Sequence, residues 1–405
     1  MHDAHSPSAP NAPGPGIVGG RLLLALCLFA CGPAMAQGKG AANPGAGKPI
    51  KVGAISSLSG GAAFPESAQA VKAYFDTINA EGGIRGRKLV LVSEDDRNDP
   101  KAAREAASRL DEQEVVAHVG SASTLECGVN AAHYASRNLV SVQGTGVDPD
   151  CFRSANIAPV NAGPYLSLDV ALRFATEIRG RQKVCLFFMN IPALMPGYEE
   201  VVAKWKARTG RTPHLYDVSY LPGAPTAPVV DKVRQSGCEA AVFTGVEPFI
   251  IDWMRNVRSK NIAGVDWIFL TPAYTAGVAK ALGAQGEGIY SLSEFMPWSS
   301  RALDLNDWRD TMKRGKVPLT SFSQGGYLAA QIFVSVLRGI KGDITRESVA
   351  QAFRALERYD SPLIGTPYSF GTAARHNPNH AILPMVLRDG EWRIAHPDWI
   401  IAGDS

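Results

Sequence analysis

From residue 50 onward, short apolar runs alternate with longer stretches in which apolar residues recur every three or four positions. The runs at 50–55 (IKVGAI), 88–95 (KLVLVSED), 115–120 (VVAHVG) and 139–144 (LVSVQG) read as strands. Between them, 64–80 places Val71, Tyr74, Phe75 and Ile78 on one helical face. Asp99 followed by Pro100 starts another helix, and 123–136 forms a third. The alternation then repeats, with helices at 164–178, 195–209, 226–236 and 248–259 and strands at 183–189, 214–220, 239–245, 267–270 and 288–293. Residues 301–355 read as largely helical, and 381–388 and 391–395 as short strands.

Apolar strands separated by helices imply parallel sheets covered on both faces. These units are too many for one sheet of ordinary width. The expectation is therefore an α/β fold of two doubly wound parallel-sheet lobes.

The N-terminus breaks this pattern. Residues 22–30 are LLLALCLFA, preceded by Arg21 and followed by Ala34-Met35-Ala36. That order of charge, short apolar run and small residues predicts a signal peptide cleaved after Ala36. The run is far shorter than the roughly 20 residues of a membrane span. Leu28-Phe29-Ala30-Cys31 has the outline of a lipoprotein site, but Phe29 fits it poorly. Residues 37–48 form a Gly/Ala linker, and no later segment is apolar enough to span a bilayer. A soluble exported protein, periplasmic in location, is expected.

Composition narrows the function. Of 405 residues, 45% are apolar and 20% charged, enough to bury a core. The net charge is +3, with basic residues spread along the chain, unlike the clustered footprint of a nucleic-acid binder. Four cysteines remain after cleavage, and spacing alone leaves three pairings open. Topology favours Cys127–Cys151: one lies early in the helix after strand 115–120, the other beyond the loop after strand 139–144. Neighbouring strands would bring both to one rim. Two separate buried thiols are the alternative.

Ligands of open parallel sheets sit beyond the carboxyl ends of the strands. The first three such loops hold Ser56 to Gly61, Gly120 to Thr124, and Gln143 to Gly146, all small and uncharged. Their hydroxyls and backbone N–H groups suit an anion or polar head, and the glycines suggest close approach to the backbone. Candidate contacts are Ser59, Ser121, Ser123, Thr124, Gln143, Gly144 and Thr145. Ser123-x-x-Glu126 has the form of a capping box. Asp95-Asp96 reads as a solvated turn. His376 and His380 resemble a metal pair, but Pro378 denies them a helix, so no metal or other cofactor is expected. No nucleophile with its base is discernible, so no enzyme is expected.

With these loops in place, the chain resembles the leucine/isoleucine/valine-binding family of periplasmic solute receptors over about residues 49–395. The likeness rests on IKVGAISSLSG, on YFDTINAEGGIRGRKLVLVSEDDRNDPKAA, on VAHVGSAST and on SVQGTG. It implies a type I periplasmic-binding fold with a three-crossing hinge. The lobes would be 49–159 with 291–378, and 160–290 with 379–405. It also implies a monomer that clamps a small solute and delivers it to the inner-membrane permease of an ABC importer. Ser123 or Thr124, with Gln143, Gly144 and Thr145, would receive a carboxylate.

The second lobe departs from the family. Where relatives carry an aromatic and an acid for an ammonium, this chain has Met189 to Met195, Asn190 included, and Leu270 to Tyr274. Glu247 is the nearby acid. The expectation is a carboxylate- or amide-bearing solute without a free α-amine, its body against Met195, Tyr198, Tyr274 and Phe64. The alternatives are an amino-acid receptor using Glu247, and a sensor for a signalling partner.

Overall fold

Strand β1 (Ile50–Ser56) is buried at every position but Lys51, as expected of a parallel strand covered on both faces. In this computed structural model it lies between β2 (Leu89–Asp95) and β3 (His118–Val119), with β4 (Ser141–Val142) beyond, giving an all-parallel order β2-β1-β3-β4. The described residues are 47–59, 63–376 and 378–403. The expected export segment 1–36, residues 37–46 of the linker, Gly60 and Gly61 of the first strand-end loop, and Asn377 lie outside them.

A second sheet is built from β5 (Val184–Met189), β6 (Leu215–Tyr220), β7 (Ala240–Phe243), β8 (Asp266–Phe269) and β9 (Tyr290–Ser293). These are parallel, and β10 (Ala381–Arg388) and β11 (Glu391–Ile394) extend the sheet antiparallel in the order β11-β10-β9-β8-β7-β5-β6. The short β12 (Ile400–Ile401) pairs with β10.

Helices α1 (Pro65–Ala80), α2 (Pro100–Glu112) and α3 (Glu126–Ser136) belong to the first sheet's run of chain. Helices α4 (Gly163–Arg173), α5 (Met195–Thr209), α6 (Ala227–Ser236), α7 (Glu247–Ser259) and α8 (Ala276–Leu282) belong to the second. The chain then returns through α9 (Asn306–Gly315), α10 (Ser321–Gly339) and α11 (Arg346–Arg354). One buried cluster joins Val71 and Phe75 of α1 and Phe333 and Leu337 of α10 to Val52 and Val119 of the first sheet. No helix among the described residues is long and apolar enough to cross a membrane.

Local chemistry sets several boundaries as the sequence predicts. Asp99 caps α2 by accepting from the Ala102 N–H at 2.7 Å, with Pro100 in the first turn. Gly210 ends α5 in the left-handed conformation, φ 68°. Two boundaries differ. The helix predicted over 164–178 becomes α4 followed by a single π turn at Phe174–Ile178. The helix predicted from 123 begins at Glu126, with Leu125 at its N-cap.

Among the described residues the chain passes between the sheets three times: before α4, after β9 and into β10. Asn379 ties these passages together, donating to the Val160 carbonyl at 3.2 Å and the Glu294 carbonyl at 2.8 Å. Cys127 is bonded to Cys151, and Cys185 to Cys238. The first bond joins α3 to the loop beyond β4.

That bond closes a loop of sequence separation 24. Replacing Cys127 and Cys151 together by serine is expected to lower unfolding free energy by about 3 kcal/mol, through a larger unfolded-state entropy. Urea unfolding of oxidised wild type and variant measures this; equal midpoints would mean the bond braces nothing.

Candidate functional site

The carboxyl ends of both sheets face a common cavity of about 390 Å³. Its near wall comes from loops after β1, β2, β3 and β4, including Phe64, Arg97, Asn98, Thr124, Thr145 and Gly146. Its far wall is mainly apolar: Met189 at the end of β5, Ile191 and Leu194 beyond it, Tyr198 of α5, Val246 after β7, Phe249 of α7, and Leu270 and Pro272 after β8. Phe64 and Phe322, with ring centroids 4.9 Å apart, border it on the α10 side.

Four expected contacts line this cavity: Phe64, Thr124, Thr145 and Tyr198. Most of the remaining first-wall candidates turn out to brace the loops. The Ser59 hydroxyl donates to Asp95 Oδ2 at 2.6 Å. The Ser121 hydroxyl accepts from the Ile55 N–H, while its carbonyl takes the N–H groups of Gly144 and Thr145 at 3.0 and 3.1 Å. The Ser123 hydroxyl donates to Asp96 and accepts from the Leu125 and Glu126 N–H groups. The predicted capping box does not close, since the Glu126 carboxylate turns inward to the Tyr134 hydroxyl and the Gln143 amide. Gln143 therefore belongs to a buried network with Glu126 and Ser141, not to the cavity.

Asp95 and Asp96 are not a solvated turn. Asp96 is fully buried and accepts from Ser57 Oγ and the Asn98 N–H, each at 2.9 Å. Asp95 accepts from the Leu58 and Arg97 N–H groups. Burial pushes its carboxyl up, but these bonds and the one from Ser59 outweigh that and hold it below the ordinary value.

Gly144 answers a different need from the one the sequence suggested. A Cβ there would lie 2.2 Å from Ser67 Oγ and 3.1 Å from the Gly326 nitrogen. What approaches this backbone is Ser67 of α1 and Gly326 of α10, not a solute.

The far wall also departs from expectation. Asn190 donates to the Val218 carbonyl at 3.0 Å, and Met195 is buried among core residues. The Tyr274 hydroxyl meets Ser299 Oγ at 3.2 Å, and its ring stacks on Trp298. Glu247 begins α7, accepts from Thr275 Oγ1 at 2.6 Å, and borders a separate cleft with Glu66. None of these four lines the main cavity.

The acid that does so is Glu294, directly after β9 and only 4% exposed. Its Oε1 accepts from the Gly163 N–H at 2.9 Å and Ser167 Oγ at 3.1 Å, and its Oε2 from Asn161 Nδ2 at 3.2 Å. Burial raises its pKa, opposed by hydrogen bonds from Asn161, Ser167, Gly163 and Thr271. No cation pairs with it among the described residues. The expectation that the second half offers no negative group to the cavity is overturned.

Residues 49–391 match the family described as periplasmic binding protein. This chain belongs to the periplasmic binding protein family. A protein of Pseudomonas aeruginosa named amino acid binding protein is 27% identical over 234 residues, which is 52% of this chain and 60% of that protein. The alignment thus covers less than two thirds of that relative. A branched chain amino acid ABC transporter from Thermus thermophilus, solved with bound valine, has the same fold. Its TM-score is 0.76 at 12% identity, covering 88% of this chain and 97% of that one. The fatty acid ABC transporter substrate-binding protein from Thermomonospora curvata gives 0.73 at 18% identity, over 88% and 93%. The two-sheet α/β architecture is therefore that of type I periplasmic binding proteins, and these neighbours span different solutes on one scaffold.

Gly144→Ala is expected to destabilise the protein by about 1–3 kcal/mol through overpacking against Ser67 and α10. Thermal unfolding without any solute measures it. An unchanged midpoint accompanied by lost solute binding would restore Gly144 as a contact.

Proposed function

We propose that this chain is the solute receptor of an ABC importer, closing its two halves around a small amino-acid-class solute and handing it to a membrane permease. The carrying observation is Glu294: a buried carboxylate, held only by neutral donors, in the wall of a cavity whose far side is mainly apolar. An uncompensated buried charge is costly. A solute ammonium or amide N–H facing Glu294 would supply the compensation. The solute's carboxylate would then face the opposite rim, with its apolar body against Leu194, Tyr198 and Phe249.

This revises the expectation of a solute without a free amine, which rested on the lack of a counter-charge. The amine-free reading keeps one supporting observation, the raised pKa of Glu294, since a neutral Glu294 tolerates an uncharged neighbour. Export to the periplasm, action as a monomer and the absence of catalysis complete the proposal. Contacts on both halves favour the closed arrangement, and the permease would read that shape.

Calorimetry on solute-stripped protein tests the assignment, guided by mass spectrometry of whatever co-purifies. Leucine and 4-methylpentanoate differ only by the amine. Leucine is expected to bind more tightly, and Glu294→Gln to weaken it by about 10–100-fold while barely changing 4-methylpentanoate. Only ionised Glu294 pairs with an ammonium. Affinity is therefore full above its folded-state pKa and falls as pH drops through it, beginning at a higher pH than for an ordinary carboxylate. Preference for the amine-free acid in wild type would sink the amino-acid assignment and leave the receptor standing.

A further inference from the structure

We infer that Arg97 is the anion anchor of this site: it receives the solute's carboxylate, a task that the sequence resemblance gave to uncharged hydroxyls and backbone N–H groups. The inference rests on the receptor reading above and names the group that selects an acid over its neutral counterpart.

Donor bookkeeping leads to it. The N–H groups of Gly144 and Thr145 are spent on the Ser121 carbonyl, and that of Gly146 on Asn161 Oδ1 at 2.8 Å. A hydroxyl has one proton to give. Thr124 gives its own to Asn98 Oδ1 at 2.9 Å, and Ser123 gives its own to Asp96. Of the hydroxyls expected to meet a carboxylate, only that of Thr145 keeps its proton for the cavity. One neutral hydroxyl is a poor match for an ionised acid.

Arg97 lines the same cavity, and its guanidinium makes no hydrogen bond or ion pair among the described residues. A guanidinium offers several donors in a planar fork that fits a carboxylate bidentately. Its position is built. Arg97 and Asn98 are consecutive non-glycine residues in the left-handed region, φ 54° and 57°. That is an uncommon conformation that persists only where its surroundings impose it. Asp95 accepts from the Arg97 N–H and buried Asp96 from the Asn98 N–H, each at 2.9 Å. These aspartates are themselves pinned by Ser57, Ser59 and Ser123. The loop thus uses Ser59 and Ser123, two hydroxyls once expected to touch the solute, together with Ser57 to hold a cation at the wall instead.

The geometry also gives the site a polarity. Arg97 comes from the first sheet's rim, whereas Glu294 follows the last parallel strand of the second. A solute carrying both an acid and a donor would span the two halves.

The test uses full-length, solute-stripped protein and matched pairs of acids and primary amides: leucine with leucinamide, phenylalanine with phenylalaninamide, and 4-methylpentanoate with 4-methylpentanamide. Wild type is expected to prefer each acid by about 10–100-fold. Arg97→Gln should remove that preference by weakening the acid alone, and Arg97→Lys should recover part of it. Unfolding midpoints of the variants check that the turn survives. Acids bound equally by wild type and Arg97→Gln, or amides bound as tightly as acids by wild type, would overturn the inference and leave the receptor intact. No binding of any pair by wild type, with no co-purifying solute, would instead remove the receptor reading itself.

Discussion

A carboxylate withdrawn from water needs partners, and Glu294 has recruited its own from the segments on which the two halves depend. Its oxygens accept from Asn161, Gly163 and Ser167, at the passage from the first sheet into α4. Its own carbonyl accepts from Asn379, at the passage into β10. Asn161 also bonds both backbone groups of Gly146, in the loop after β4. One buried acid therefore borders the cavity, bonds the crossings and reaches a strand-end loop through Asn161. Any solute group that changes its charge or its hydrogen bonds acts on the segments about which the halves would turn. Cavity and hinge are chemically continuous here, without a relay of intervening side chains.

The near wall follows a contrasting rule. Its hydroxyls and backbone N–H groups are spent internally, so the loops after β1, β2, β3 and β4 hold one another rigid. Ser57 and Ser123 converge on Asp96, and the Cys127–Cys151 bond holds the start of α3 to the loop beyond β4. This leaves few polar side chains of the near wall facing the cavity, Arg97 and Thr145 among them. The far wall contributes apolar area and Glu294. The apolar surround sharpens the charge of buried Glu294, because it interacts in a medium less polarisable than water, whereas Arg97 is exposed.

Much of the architecture was legible in the chain because periodicity is a property of the whole element. Met195–Thr209 is helical over the span its pattern predicted, and Asp99-Pro100 marks the start of α2. The strand-end loops were also located correctly, since they follow from strand order alone. Which atoms in those loops face the cavity was not legible. Spacing does not say which way a serine hydroxyl turns, and Ser59, Ser121 and Ser123 all turn to protein groups. Gly144 looked like a ligand contact because α10, which approaches it, lies about 180 residues further along the chain. Arg97 was hidden in an acidic turn that read as solvated, although two adjacent aspartates before a helix cap are well suited to bind backbone N–H groups. Glu294 had a fainter signal. It is an acid set between Ser293 and Phe295 in a run buried on both sides, where a charge is out of place unless something needs it.

These features bear on why a clamshell would respond to the right solute and not to others. A molecule that touches only the apolar wall, or only Arg97, binds one half and gains little from bringing the other close. A solute stabilises the closed arrangement only by the difference between what it gains there and what it gains with the halves apart. On the assignment proposed for Arg97 and Glu294, that difference would be largest for a solute carrying both an acid and a donor, because neither contact would substitute for the other. An amine-free acid would keep the Arg97 contact but leave Glu294 unanswered. An amide of the same shape would forgo the charge on Arg97. Selectivity and closure would then be one quantity on this reading, measured by how completely a solute satisfies the two ionisable side chains across the gap.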